Sequence, residues 1–164
     1  MIIILKKKIL ISLSIIDLLG TGFLFTLYHW QKPLMIDGFT EYNQLKKQVD
    51  IELVNKERHD IFVKEVLVNN KMPKKVQLVI SYSGHLVAGG IDDDPLAQFI
   101  NINEASVHPQ LSPEEFKAAV KTKTTPINYG IRIMNEEDIG VVKIKYKYWW
   151  FTFMNEVNLN TWPE

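Results

Sequence analysis

Three contiguous carboxylates in "GGIDDDPLAQ", Asp92, Asp93 and Asp94, are the side chains of this chain best suited to holding a cation. Calcium takes about six to eight oxygen ligands, and carboxylates around one turn supply several of them. Asn101, Asn103 and Glu104 follow shortly after. The spacing weighs against the site. An EF-hand loop alternates its ligands and places a glycine at its sixth position, whereas adjacent aspartates point in different directions. A solvated Gly/Asp/Pro turn accounts for the same residues. Calcium is therefore carried as a candidate cofactor and no metal site is assigned.

Other catalytic signatures are missing. His29, His59, His85 and His108 show no HExxH or HxH spacing that would put two imidazoles on one metal. "SYSGH", Ser81 to His85, contains serine and histidine but is not the G-x-S-x-G elbow of a nucleophilic serine. Glu114 and Glu115 open a helix, where carboxylates serve the cap and the dipole. Cysteine is absent, which removes disulfides, cysteine-ligated metals, a thiolate nucleophile and a lipobox-type anchor. No catalytic residue is assigned, and the expectation is a binding protein rather than an enzyme.

Apolar residues make up 46% of the chain and charged ones 23%, the balance of a globular protein. The zero net charge conceals an asymmetry. Lys6, Lys7 and Lys8 precede an apolar run, and the residues after Trp30 hold 16 basic and 18 acidic side chains, about −2. Such a balance gives no broad electrostatic reason to bind nucleic acid.

The apolar run is Ile9 to Tyr28, "ILISLSIIDLLGTGFLFTLY". Roughly 20 helical residues span about 30 Å, a hydrocarbon core. Its isoleucines, leucines and phenylalanines contribute about −4 to −7 kcal/mol to insertion, against roughly 2.5 to 3.5 kcal/mol for Asp17. Tyr28, His29 and Trp30 fall where an interfacial belt belongs. The lysines place the amino terminus in the cytoplasm and the remainder outside, as a single-pass protein of the cell membrane. A cleaved signal peptide ending near Gly20-Thr21-Gly22 is the competing reading, but it leaves the apolar start "FLFTLYHW". Asp17 is either a polar contact to another membrane helix or a tolerated residue in a lone anchor.

Three segments follow: residues 1–30 as anchor, 31–48 as a stalk or short helix with Thr40 as N-cap, and 49–164 as an extracytoplasmic domain. Alternating apolar residues predict strands at Ile51–Val54, Ile61–Val68, Val76–Tyr82, Phe99–Asn103, Ile127–Ile133, Ile139–Met154 and Val157–Trp162. Asn69-Asn70-Lys71-Met72-Pro73 between the second and third of these predicts a hairpin. "LSPEEFKAAVK" predicts one helix, with Ser112 as N-cap, Pro113 at its first position and Glu115 completing a capping box. Many short strands with a single helix in a connection predict a mainly-β domain, an antiparallel β-sandwich of immunoglobulin-like shape.

"VQLVISYSG", "FININE", "HPQLSPEEFKAAVK" and "PINYGIRI" resemble segments of short, membrane-anchored proteins of Bacillus-type Gram-positive bacteria. The resemblance implies an envelope protein and brings neither activity nor site residues with it.

One stretch resists the pattern. "KIKYKYWWFTF", Lys143 to Phe153, alternates lysine with apolar or tyrosine residues and then becomes aromatic throughout. In one continuous strand Val142, Ile144, Tyr146, Tyr148 and Trp150 face the core, while Trp149, Phe151 and Phe153 extend the lysine face as an aromatic patch. A bulge after Tyr148 would swap the faces. The Ser112 helix or the carboxy-terminal "NLNTWPE" is the expected cover; an envelope partner or the lipid surface would otherwise meet the patch.

Overall fold

The computed structural model describes residues 14, 16–24, 32–42 and 46–161 and divides into two units, Met1–Lys32 and Pro33–Glu164. In the first, residues 16–24 are helical, and Asp17 is exposed along with Ile16, Leu18, Leu19, Phe23 and Leu24. The Thr21 hydroxyl donates to the backbone carbonyls of Asp17 and Leu18, and the space beside Gly20 and Gly22 is open. Half of the predicted span Ile9–Tyr28, together with His29 and Trp30, lies outside the described residues. Among the described residues no helix is long and apolar enough to cross a membrane.

The second unit is mainly β. Its strands are β1 Leu34–Glu41, β2 Gln48–Asn55, β3 Ile61–Val68, β4 Lys75–Ser81, β5 Gln98–Ile100, β6 Asn128–Met134, β7 Val141–Tyr148 and β8 Phe151–Asn158. They form two antiparallel sheets, ordered β1-β2-β6-β4-β5 and β3-β7-β8. The sheets enclose one core, built from Val49, Ile51, Leu53, Leu78, Ile131 and Ile133 on one side and Ile61, Val63, Val66, Ile144 and Tyr146 on the other. The result is a β-sandwich. In β3 the apolar phase slips from Ile61 and Val63 to Val66 and Val68. A bulge between Val63 and Glu65 absorbs the extra residue, so all four stay inward.

A second, smaller core lies on the outer face of the larger sheet. The connection from β4 to β5 folds back in two 3-10 turns, Val87–Gly89 and Ile91–Asp93, and buries Val87 and Ile91 against Val79, Ala97 and Phe99. It therefore covers β2 and β6 from outside, so that Val49–Leu53 and Tyr129–Ile133 are buried on both faces. Gly130 makes this approach possible, because a Cβ there would stand 2.5 Å from Val87 Cγ1 and 2.6 Å from the Ile51 carbonyl oxygen. Glu52, buried in the same layer, accepts the Ala88 backbone N–H at 2.9 Å.

The sequence reading needs four corrections. Residues 34–41 are not a stalk: they form β1, and Thr40 is a strand residue whose hydroxyl donates to the Ala88 carbonyl. A ladder to β2 satisfies this backbone better than a short isolated helix would. β3 and β4 are not a hairpin but lie in different sheets. Asn69 and Asn70, both at positive φ, do make a two-residue turn closed by the Val68–Lys71 bridge, but Pro73 then lacks the N–H to extend it. Ile139–Met154 is not one strand but the β7–β8 hairpin. β8 runs on to Asn158 and ends in the 3-10 turn Leu159–Thr161, so Val157–Trp162 is not a separate strand. The helix Pro113–Thr122 does form as expected, with both capping-box bonds: Ser112 Oγ accepts from Glu115 N at 3.3 Å, and Glu115 Oε2 accepts from Ser112 N at 2.9 Å.

Two stability measurements test the outer layer. Gly130→Ala drives a Cβ into backbone as well as a side chain and is expected to destabilise by about 1–3 kcal/mol in urea unfolding; an unchanged midpoint would mean that the connection does not seat there. Burial pushes the Glu52 carboxyl up from its ordinary value, against the opposing bonds from the Ala88 and Val87 amides. A raised carboxyl contributes its stability below the unfolded-state pKa and loses it as pH rises through the folded-state value. Glu52→Gln keeps an acceptor and removes the charge, so its melting temperature should match wild type near pH 4 and exceed it near pH 8.

Candidate functional site

The three candidate metal ligands do not converge. Asp92 pairs with Arg132, Oδ1 to Nη1 at 2.6 Å. Asp93 is exposed. Asp94 is buried and accepts from Ser81 Oγ at 2.9 Å, Ser83 Oγ at 2.7 Å and the Leu96 N–H at 3.0 Å. Burial raises the Asp94 carboxyl, but these donors outweigh it and hold the group below its ordinary value. The serines of "SYSGH" are thus committed to a carboxylate, and His85 is exposed beside them. Among the described residues no three His, Asp or Glu side chains gather in an arrangement that would hold a metal ion.

Arg132 is the hub of the outer layer. Its Nε and Nη2 grip both carboxylate oxygens of Asp50, at 2.8 and 2.6 Å, while Nη2 also donates to Tyr42 OH at 3.2 Å. The guanidinium lies over the Phe99 ring, 4.5 Å from its centroid. Burial, and then the Asp50 carboxylate that its hydroxyl donates to, pushes the Tyr42 phenol up to about 12. Each group is saturated by its neighbours, as a structural clasp requires.

The unsaturated surface is elsewhere, at the end of the sandwich where β2 passes into β3 and β7 turns into β8. Tyr148 pairs with Phe151 and Tyr146 with Phe153, leaving Trp149 and Trp150 as a two-residue turn. This turn reverses the parity of the sequence. Cross-strand partners share a face, so Phe151 and Phe153 lie on the inward side with Tyr148 and Tyr146, and Thr152 and Met154 lie with the lysines. The expected aromatic extension of the lysine face is therefore wrong, as is the inward placing of Trp150. Swapped faces were anticipated for a bulge; a hairpin produces them.

Phe153 is half-buried, stacked on Tyr146 at 5.7 Å between centroids. The others are open: Trp149 is 50%, Trp150 78% and Phe151 51% exposed. Trp149 stands 4.7 Å from the His59 ring and 4.9 Å from Trp150. Neither expected cover reaches them among the described residues. The Ser112 helix sets Phe116 and Val120 beside Gly84, and Leu159 bonds to the Gly140 carbonyl at the opposite end. Trp162 to Glu164 lie outside the described residues.

No family of known proteins, no curated protein and no solved structure matches this chain. The aromatic end must therefore be interpreted from its own chemistry. Trp149 has φ +55°, a left-handed conformation that a bulky L residue adopts at a cost. Two-residue hairpin turns ordinarily place Gly, Asn or Asp at such positions. Beside the turn, Asp60 accepts from Ser106 Oγ at 2.8 Å and contacts His108 Nδ1 at 2.9 Å. Burial raises the Asp60 carboxyl, but these two partners outweigh it and hold the group below its ordinary value. Tyr129 is buried against His108, ring centroids 5.9 Å apart. Sequence spacing concealed this cluster, because His59, Asp60, Ser106 and His108 meet only through the fold. It also concealed the turn, since "YWWF" carries no turn-forming residue.

The strained turn gives a separable prediction. Trp149→Gly removes roughly 1–2 kcal/mol of left-handed strain and gives up about 0.5–1.5 kcal/mol of ring contact with His59. The unfolding free energy should stay within about 1 kcal/mol of wild type in urea titration, whereas a loss of several kcal/mol would make the turn a structural element.

Proposed function

We propose that this chain is an interaction module of the bacterial envelope, held at the cell membrane by an uncleaved anchor at Ile9–Tyr28 and presenting an immunoglobulin-like sandwich outside. The observation that carries the binding role is the open aromatic end: a strained tryptophan turn whose rings are exposed. Such a surface suits contact with a partner rather than folding. In this reading the module binds and does not catalyse.

The strand order supports the immunoglobulin-like assignment. With β1, β2, β6 and β4 taken as A, B, E and D, and β3, β7 and β8 as C, F and G, the sheets follow the ABED and CFG order of constant-type domains. β5 is an added strand beyond D. The B–F disulfide of antibody domains has no counterpart, because the chain has no cysteine. The apolar length of Ile9–Tyr28 and the preceding lysines support the anchor and its orientation.

Membranes from cells expressing the full chain should retain it after alkaline carbonate washing, and protease added to intact protoplasts should remove the domain. Release into the wash would end the anchor; protection from protease would end the outward orientation.

A further inference from the structure

We propose that the Trp149–Trp150 turn rests in the headgroup layer of the membrane that carries the anchor, so that the sandwich stands tip-down on lipid. The inference rests on the anchored reading above and names the partner of the aromatic end.

Three observations within the second unit lead there. First, the chain enters the sandwich at the same end as the tip. Leu34 begins β1 opposite Asn55, and its carbonyl accepts from Asn155 Nδ2 at 2.6 Å. Asn155 lies four residues along β8 from Phe151, so the hairpin projects about 13 Å past the level at which the chain enters. In the anchored reading the chain arrives from the bilayer, and it enters the sandwich on the tip's side. Tethering also makes a weak contact effective, because the second encounter is intramolecular.

Second, the composition of the tip is that of a membrane interface. Trp149, Trp150 and Phe151 are exposed together with Phe62 on the adjoining strand. Tryptophan and other aromatic rings favour the headgroup level, where an apolar body meets a wet rim. Third, the surrounding charge is basic although the whole domain is slightly acidic. Lys56 and Arg58 in the β2–β3 connection, Lys64 and Lys147 are all exposed near the aromatics, against Glu57 and Asp60. Lys147 sits directly across from Phe62, and the Lys64 ammonium lies 5.5 Å from the Phe62 ring centroid. Aromatic rings flanked by Lys and Arg suit anionic headgroups over an acyl boundary. A protein groove would be expected to select one shape; this tip offers a convex apolar point instead.

The test uses the full chain with Trp30→Phe and Trp162→Phe, leaving Trp149 and Trp150 as its only tryptophans. It is reconstituted into phosphatidylcholine–phosphatidylglycerol vesicles, with or without bromine near the top of the acyl chains, and floated on a density gradient. The expected result is co-flotation, a blue-shifted emission, bromine quenching, and loss of much of the acrylamide accessibility seen in detergent. Adding Trp149→Ser and Trp150→Ser should leave flotation intact, since the tip is a contact and not the anchor. Co-flotation with emission that acrylamide quenches freely and bromine does not would overturn the lipid contact alone, and would leave the tip to a protein or soluble partner. Failure to float would remove the anchor and the lipid contact together.

Discussion

Burial of β2 and β6 on both faces is the constraint from which the rest of the domain follows. Antiparallel sheets can leave one face in water; here the inner face meets the opposing sheet and the outer face meets the β4–β5 connection. The outer positions of these strands are polar, Asp50 and Glu52 on β2 and Arg132 on β6, so covering them demands a partner for every charge. Arg132 meets that demand by binding Asp50 with two donors and Asp92 with a third. Gly130 supplies the space without which Val87 could not descend onto the sheet.

This arrangement explains why the aspartate run is not a cation cradle. Consecutive residues in a tight turn point apart, and the fold uses the divergence: Asp92 reaches the sheet, Asp94 turns back to Ser81 and Ser83, and Asp93 is left in solvent. Replacing a buried ion pair with apolar residues is often neutral for stability, so its use here lies in specificity. A shifted connection would take Asp92 from Arg132 and the Ala88 amide from Glu52 in a dry layer, which selects one seating from the many a loop of this length could adopt.

Legibility in the sequence divides along the same physical line. The inner strands β2, β3, β4 and β6 are readable because alternation reports burial, whereas β1 and the β7–β8 turn are not; the Ser112 helix is readable because a capping box is a local chemical device. Pairing was not readable. β3 and β4 look like hairpin partners because the turn between them is well formed, yet the Val68–Lys71 bridge closes only a corner before the chain crosses to the other sheet. Double-sided burial was equally hidden, since Asp50, Glu52 and Arg132 read as a solvated face until a distant loop covers them. The candidate site was half legible: its aromatic content was plain, but the two-residue turn that sets its parity carries no turn residue.

That last mismatch bears on the role of the tip. Within one domain, two tight turns use positive φ. At Asn69–Asn70 the residues suit the conformation, and the Asn69 side chain serves the fold by donating to the Asp138 carbonyl and accepting from the Gly140 and Val141 amides. At Trp149–Trp150 the first residue opposes its left-handed conformation, and the internal return is a ring contact with His59. Sequences that specify a fold agree with it at every level, and departures concentrate where something other than folding sets the residue. The large rings at the tip follow that second rule: what Trp149 gains from its contact with His59 is about what its left-handed backbone costs, so folding alone does not account for it.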